Sequence, residues 1–523
     1  MPISFANIPQ NIKVPLYWVE VDPSMAGLPS INLRALLVGV MTSGGNATKD
    51  VPIPIGSQAQ ADQAFGQGSE LGRMFQAYYA NNFANEVWGL PVQEPTGGTA
   101  ATGTITVATA ATGAGTIHLY VGGNHVPVPV SPSDTPATIA ANIASAINAD
   151  DTLPVTADAP TGATVTLHAT FKSVNGNDIG VSVNYYGARG SEILPTGLTL
   201  TLPATGFLTT GAGVPTFTNA IANLGEEPFE YVAMPYTDAS SLAAWDQEYG
   251  FTDTGRWGWQ RQLFGHVFSA KRGTYSALLT FGETQNSAVE SIMGVETGSP
   301  SPVFEWGAAY AAKAQRALIN DPARPLQSLS LNQIKLAPVN QRFYFPELNS
   351  LASTGIAIQK PGSDNQPMIA REQTTYQLNL YGQSDDAYEL VTTLATLAKL
   401  LRNQKQAITS KFPRHKLAND GTKFGPGQAI VTPGIIKSEL IAQYQQDMYD
   451  GLVEDMSNFK RNLLVERDPN DPNRVNVLYP PDLINQLRIF AVLAQFRLQY
   501  DRGIDTLIIG TAPPPFNAAN AGA

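Results

Sequence analysis

Glu230-Tyr-Val-Ala-Met-Pro235 opens a stretch, Glu230 to Tyr376, in which short apolar runs alternate with helical patterns. That first run suits a buried strand, and Asp238 then caps a helix carrying Leu242, Ala243 and Trp245, which Gly250 ends. Gly265-His-Val-Phe-Ser-Ala270 and Ser287-Ala-Val-Glu-Ser-Ile-Met293 predict two more strands, with a helical Thr274 to Phe281 between them. Ser301-Pro302 predicts the start of a longer helix, Val303 to Ile319, with serine as the cap and proline at the first helical position. Strands separated by helices need crossover connections, hence a largely parallel sheet covered on both faces. The expected core is doubly wound α/β.

Upstream, Arg34-Ala-Leu-Leu-Val-Gly-Val40 is a near-continuous apolar run ended by Gly44-Gly45, a further strand of that core. Gln58 to Ala64 and Ser69 to Asn81 have helical spacing, the second through Leu71, Met74, Phe75 and Tyr78, and Glu86 to Leu90 returns to strand. Before them, Pro2 to Ala26 is a proline-punctuated arm in which Val14 to Val21 is extended. Pro15 lacks a backbone donor, which leaves two readings open: an edge strand of the core, or a strand exchanged between subunits.

Composition changes at Pro95 and changes back near Gly213. Between them Thr, Ala and Gly recur, and Lys172 and Arg189 are the only Lys or Arg. Alternation predicts strands at Gly103 to Ala108, Thr116 to Val121, Thr164 to Phe171, Gly180 to Tyr186 and Leu198 to Leu202. Ile139, Ile143 and Ile147 form a helical stripe that packs on a sheet. This patterning outweighs a disordered Thr/Gly-rich reading and predicts a β-rich domain inserted into the core. Beyond the core, Ser384-Asp385-Asp386 predicts a helix start, with Ala387, Val391, Leu394, Ala398 and Leu401 on one face. Thr432-Pro433 predicts another, with Ile436, Leu440 and Tyr444 inward. Phe459 to Glu466 and Arg474 to Tyr479 flank a turn-rich loop and predict a hairpin, and Val492 to Tyr500 alternates like a strand. An antiparallel α+β domain is expected there, followed by a short strand at Asp505 to Gly510. The expected divisions are 1–26, 27–94, 95–213, 214–380, 381–503 and 504–523.

The runs Ser301-Pro-Val-Phe-Glu-Trp-Gly-Ala-Ala-Tyr-Ala-Ala312, Asp321-Pro-Ala-Arg-Pro-Leu326 and Ile369-Ala-Arg-Glu-Gln-Thr-Thr-Tyr376 resemble the tail sheath proteins of Mu-like contractile phages, a family related to pyocin-like sheaths. Val431-Thr-Pro433, Phe459-Lys460, Val465-Glu-Arg467, Pro472-Asn-Arg474 and Pro480-Pro-Asp-Leu-Ile-Asn485 extend the likeness towards the C-terminus. The resemblance implies a core of subtilisin-like topology and a structural role. Copies of the chain would form a helical polymer of stacked hexameric rings around a tail tube protein, bounded by baseplate and tail terminator proteins. Contraction would drive the tube through the host envelope. It also implies terminal strands that join subunits, for which Val14, Leu16 and Trp18 in one arm and Thr506 and Ile508 in the other are the candidates. The insertion is expected on the outside, removable without loss of assembly. The protein would belong to the virion after assembly in the host cytoplasm.

At 523 residues the chain exceeds what one core usually serves, so several domains are expected. A net charge of -11 argues against a general nucleic-acid binder. The absence of cysteine excludes disulfides and thiolate chemistry. There is no apolar run long enough for a membrane span, and the N-terminus lacks a secretion-signal pattern, so neither membrane insertion nor signal-peptide export is expected.

A subtilisin-like topology makes a serine hydrolase the sharpest alternative, and an adhesin using the insertion is a second. Hydrolysis needs a histidine base beside a nucleophile. His118, His125 and His168 lie in the insertion, His415 in a basic loop, and His266 in an apolar strand, where a satisfied core histidine is expected. There is no Gly-x-Ser-x-Gly elbow, no phosphate-binding glycine loop with lysine, and no pair of histidines at ligand spacing along the chain. No catalytic residue, cofactor or metal centre is therefore expected. Lys399, Arg402, Lys405, Lys411, Arg414, Lys416 and Lys423 cluster around Asp420 alone. A solvated helix end explains them as well as a functional face does. In the sheath reading Lys399, Arg402 and Lys405 are the candidate residues facing the tail tube.

Overall fold

A computed structural model describes residues 33–496 of the chain. The arm candidates Val14, Leu16, Trp18, Thr506 and Ile508 lie outside the described residues. The apolar run after Arg34 becomes β1 (Ala35–Val40), buried along its whole length. β2 (Ile53–Ile55), α1 (Gln58–Phe65), α2 (Glu70–Tyr79) and β3 (Val87–Val92) follow. Ser57 and Ser69 cap the two helices by accepting from the N–H of Gln60 and Gly72. Next come β4 (Ala100–Thr109), β5 (Gly115–Val121), β6 (Asn124–Val130), α3 (Pro136–Asn148), β7 (Val155–Ala157), β8 (Thr164–Lys172), β9 (Val181–Val183) and β10 (Thr199–Thr201). The chain then returns through α4 (Thr218–Ala222), β11 (Tyr231–Ala233), α5 (Ala239–Tyr249), β12 (His266–Gly273), α6 (Tyr275–Glu283), β13 (Glu290–Glu296), α7 (Val303–Asn320), α8 (Phe345–Ser353), β14 (Ile356–Pro361) and β15 (Pro367–Arg371). Last are α9 (Val391–Lys411), β16 (Lys416–Leu417), β17 (Ile430–Val431), α10 (Pro433–Tyr449), α11 (Met456–Asn462), β18 (Leu464–Arg467) and β19 (Val475–Leu478).

The main sheet has eight strands in the order β15-β14-β13-β12-β11-β1-β3-β2. From β14 to β3 every pairing is parallel, and the two edge strands β15 and β2 are antiparallel. Helices cover both faces. On β13 the Ser291 hydroxyl meets the Tyr310 hydroxyl of α7 at 2.8 Å, whereas a Cβ on Gly294 would meet Leu278 of α6 at 3.3 Å. Residues an odd number apart on a strand point to opposite faces, which puts α6 and α7 on opposite sides of the sheet.

Residues 95–213 fold into two antiparallel sheets, β10-β4-β8-β7 and β6-β5-β9. Ile139, Ile143 and Ile147 of α3 are fully buried, as their spacing predicts. These sheets do not keep a core to themselves: one buried apolar cluster includes Leu36 and Val232 of the main sheet together with Ile105, Ile143 and Val165. Polar contacts join the same parts, with Asp178 paired to Arg272 and Asn175 donating to the Glu70 carboxylate. A second cluster, including Leu400, Ile436, Leu440, Tyr444 and Phe459, organises α9, α10 and α11, with the Tyr444 and Phe459 rings stacked 3.7 Å apart.

Four local expectations need correction. Pro302, not Ser301, is the N-cap of α7, because Asp178 comes from a distant loop to accept from the Val303 N–H, while the Ser301 hydroxyl accepts from the Lys335 N–H. α9 begins at Val391 rather than at Ser384. Asp385 is held by the Tyr376 hydroxyl, and Thr374 binds the Tyr388 carbonyl, which keeps residues 384–390 in a turn against the strand end. Phe459 lies in a helix, α11, with Asp455 as its cap, so the hairpin begins only at Leu464. The described part of Val492 to Tyr500, up to Phe496, carries no strand. Among the described residues, 33–484 form one compact unit and 485–496 belong to a second.

Candidate functional surfaces

α9 decides where the predicted cations go. Val391, Leu394 and Ala398 form its buried stripe, and Arg402 continues that stripe four residues on, so its side chain is carried inward. Its Nη2 lies 3.0 Å from Glu230 Oε1, and the guanidinium stacks over the Phe264 ring at 5.1 Å. Glu230 also accepts from the Arg34 N–H at 3.1 Å. Burial pushes the Glu230 carboxyl up to about 7, with Arg402 pulling the other way. A cavity of about 70 Å³ between α9 and the sheet is lined by Glu230, His266, Leu318, Leu394 and Arg402. Arg402 is therefore an internal partner of the core, which corrects its assignment to an outward cationic face.

Lys399 and Lys405 remain exposed, as do Lys411 at the end of α9 and Arg414, Lys416 and Lys423 beyond it. Asp420, the nearby acid, is engaged: it accepts from the Gly434 N–H in the first turn of α10. Lys411 pairs with Glu439 and Lys416 donates to Gln428 at 2.9 Å. What is left is a basic ridge along the far half of α9 and its loop.

Four of the five histidines separate into three situations. His168 pairs with Asp158 at 2.8 Å. His266 is buried on β12, and neither ring nitrogen has a partner, so it is a core histidine but not a satisfied one. Burial alone depresses its pKa to about 3. His118 and His125, in contrast, come together with Glu192. Spacing along the chain hid this, because the two histidines meet across a hairpin. Its signal was the Gly122-Gly123 turn between two alternating runs.

Large apolar side chains also stand exposed in groups. Leu380 and Tyr381 tip a hairpin, Tyr344 and Phe345 open α8, and Leu464 and Leu478 lie on the β18–β19 hairpin. In the second unit Leu487, Ile489, Phe490, Val492, Leu493 and Phe496 are all exposed. A soluble chain seldom leaves so much large apolar surface without a partner.

Residues 210–375 match the phage tail sheath protein central domain, and residues 383–497 match the phage tail sheath C-terminal domain. The chain is 39% identical over 500 residues to the Mu-like prophage FluMu tail sheath protein of Haemophilus influenzae, covering 95% of this chain and 100% of that one. Solved structures with a similar course include a sheath tail protein from Desulfitobacterium hafniense, 12% identical with a TM-score of 0.44, covering 90% of this chain and 100% of that one. Another is a sheath tail protein from Listeria innocua, 10% identical with a TM-score of 0.46, covering 87% of this chain and 92% of that one.

Proposed function

The chain belongs to the phage tail sheath family, as a sheath protein of the Mu-like contractile type, and from that premise we propose that its copies polymerise as a helical tube around a tail tube and shorten to drive that tube through a host envelope. The observation that carries this is the match along 95% of the chain to a Mu-like sheath protein. The role is structural, with work supplied by the difference between two packings of the same subunits rather than by a reaction. Exposed apolar groups on the α8, 380–381 and β18–β19 surfaces support contact with further copies.

The doubly wound reading of the core is supported by helices on both faces and by the reversal of strand order at β1, which lies between β3 and β11. Its extension to a subtilisin-like topology rests on the family resemblance. The stretch 95–213 serves as an outward insertion, docked on the core by Asp178 and Asn175. Its ends lie together, with the Thr99 N–H 3.1 Å from the Ala212 carbonyl. The exposed basic ridge from Lys399 and Lys405 to Lys423 faces the tail tube, where screened contacts would hold register yet release on contraction. Baseplate and terminator proteins bound the polymer, which assembles in the bacterial cytoplasm and ends in the virion.

Terminal strands join the subunits by adding to a neighbour's sheet, through Val14, Leu16 and Trp18 in one arm and Thr506 and Ile508 in the other. Truncating residues 1–26 or 504–523 tests this. A folded chain that no longer polymerises is expected, and normal tubes from either truncation would remove that arm from the account.

A further inference from the structure

Gly122 and Gly123, with φ of 54° and 80°, make the two-residue turn that joins β5 to β6. The turn fixes the register, Tyr120 opposite His125 and His118 opposite Pro127, which makes His118 and His125 diagonal neighbours on one face of the hairpin. Ile117, Leu119, Val126 and Val128 occupy the other face and are buried in the core. On the first face the imidazoles stack with centroids 5.1 Å apart, and His118 Nδ1 lies 2.9 Å from His125 Nε2. Glu192 reaches the same point from the loop after a 3₁₀ turn at Gly187–Gly190. Donor atoms of the three residues lie within 4.8 Å of one another, the one such grouping found among the described residues.

We propose that His118, His125 and Glu192 form a binding site for a divalent cation of the zinc class, which fastens the loop carrying Glu192 to the β5–β6 hairpin. Two imidazoles and a carboxylate are a donor set that suits zinc and its neighbours in the first transition row. Ligand atoms roughly 2.0–2.1 Å from one ion stand about 3 Å apart at angles between a right angle and the tetrahedral value. The two ring nitrogens already hold that separation, so an ion would replace the proton they share without moving the strands. Glu192 is pre-set as a carboxylate ligand should be: the Tyr120 hydroxyl donates to Oε1 and the Tyr186 N–H to Oε2, the latter at 2.8 Å. His125 is exposed, which gives an ion a way in and leaves coordination positions for water.

Lys335 stands against the site. Its Nζ sits 5.6, 5.3 and 5.1 Å from the ring centroids of Tyr120, Tyr185 and Tyr186 and donates to the Tyr186 hydroxyl at 3.1 Å. Those tyrosine faces absorb part of its charge, and the remainder weakens a neighbouring cation. A testable asymmetry follows. Removing Lys335 should tighten binding, whereas removing a ligand should weaken it.

The experiment is a titration of the untagged, metal-free full-length chain with zinc ion alone, followed by calorimetry and by elemental analysis after dialysis. One ion per chain is expected. His125→Ala, at an exposed position, should weaken binding tenfold or more, and His118→Ala with His125→Ala should remove it. Tyr120→Phe should weaken it and Lys335→Met strengthen it. No saturable uptake, or uptake unchanged in the double histidine variant, would overturn the proposal and leave the pair as two hydrogen-bonded imidazoles.

Discussion

Arg402 on α9 and Glu230, one residue before β11, form an ion pair of 3.0 Å with only 14% and 5% of their side chains exposed. The pair locks the helix that leads into the C-terminal layer onto the parallel sheet. Arg402→Ala leaves a buried carboxylate without its countercharge, and a loss of roughly 3–5 kcal/mol is expected in chemical denaturation. Arg402→Met combined with Glu230→Gln should recover most of it, since neither partner is then a stranded charge. A single variant as stable as the parent would show that the pair does not hold this junction.

Glu230 and His266 line one cavity and respond to pH in opposite senses. The folded Glu230 pKa is raised to about 7 from 4.5, so its stabilising share is complete below 4.5 and is lost as pH rises towards 7. The folded His266 pKa is depressed to about 3 from 6.5, so its share is present above 6.5 and is lost as pH falls towards 3. Between 4.5 and 6.5 the two slopes oppose. His266→Phe removes one of them, and its stability relative to the parent should grow by about 1.4 kcal/mol for each unit below 6.5. Parallel pH profiles for variant and parent would mean that His266 takes up its proton in the folded chain.

Asp178 serves two elements at once, pairing with Arg272 of β12 and accepting from the Val303 N–H at the start of α7. Asp178→Asn should cost roughly 2–3 kcal/mol, because Arg272 loses a charged partner and the single amide oxygen cannot serve both Arg272 and the Val303 N–H. Replacing the whole of 95–213 by a short Gly/Ser bridge removes the same contacts along with Asn175 at Glu70. The deletion chain should therefore melt earlier than the parent yet still polymerise. Soluble, folded deletion protein that forms no tubes would make the insertion part of the lattice.

Lys399→Glu with Lys405→Glu changes two exposed positions, and stability should stay within about 0.5 kcal/mol of the parent. Tubes of the sheath alone should form normally, while assembly around the tail tube should be impaired, with the difference from the parent shrinking at higher ionic strength. Equal assembly on the tube would return these lysines to an ordinary solvated helix end.

Much of the fold was legible because its elements depend on local signals. β1 and β11 are buried on both faces and show as unbroken apolar runs, Asp238 and Gly250 bracket α5 as cap and terminator, and the isoleucine stripe of α3 is wholly internal. The errors came where a distant residue decided the matter. Asp178 displaced Ser301 as the acceptor at α7, and Thr374 and Tyr376 kept 384–390 out of α9. β6 was missed because Pro127 and Pro129 argue against a strand; it is an edge strand, where a missing N–H costs little. Arg402 read as a surface cation because charge was visible in the sequence and its partner, 172 residues away, was not. The His118 and His125 pair was hidden because it closes only across a hairpin, and Glu192 because it comes from a distant loop.

Electron microscopy of the purified full-length chain tests the central claim most directly. The account predicts hollow helical tubes of regular diameter formed by this chain alone, and longer, ordered ones when the tail tube is supplied. A monodisperse, folded chain that forms no polymer at any concentration, with or without the tube, would contradict it.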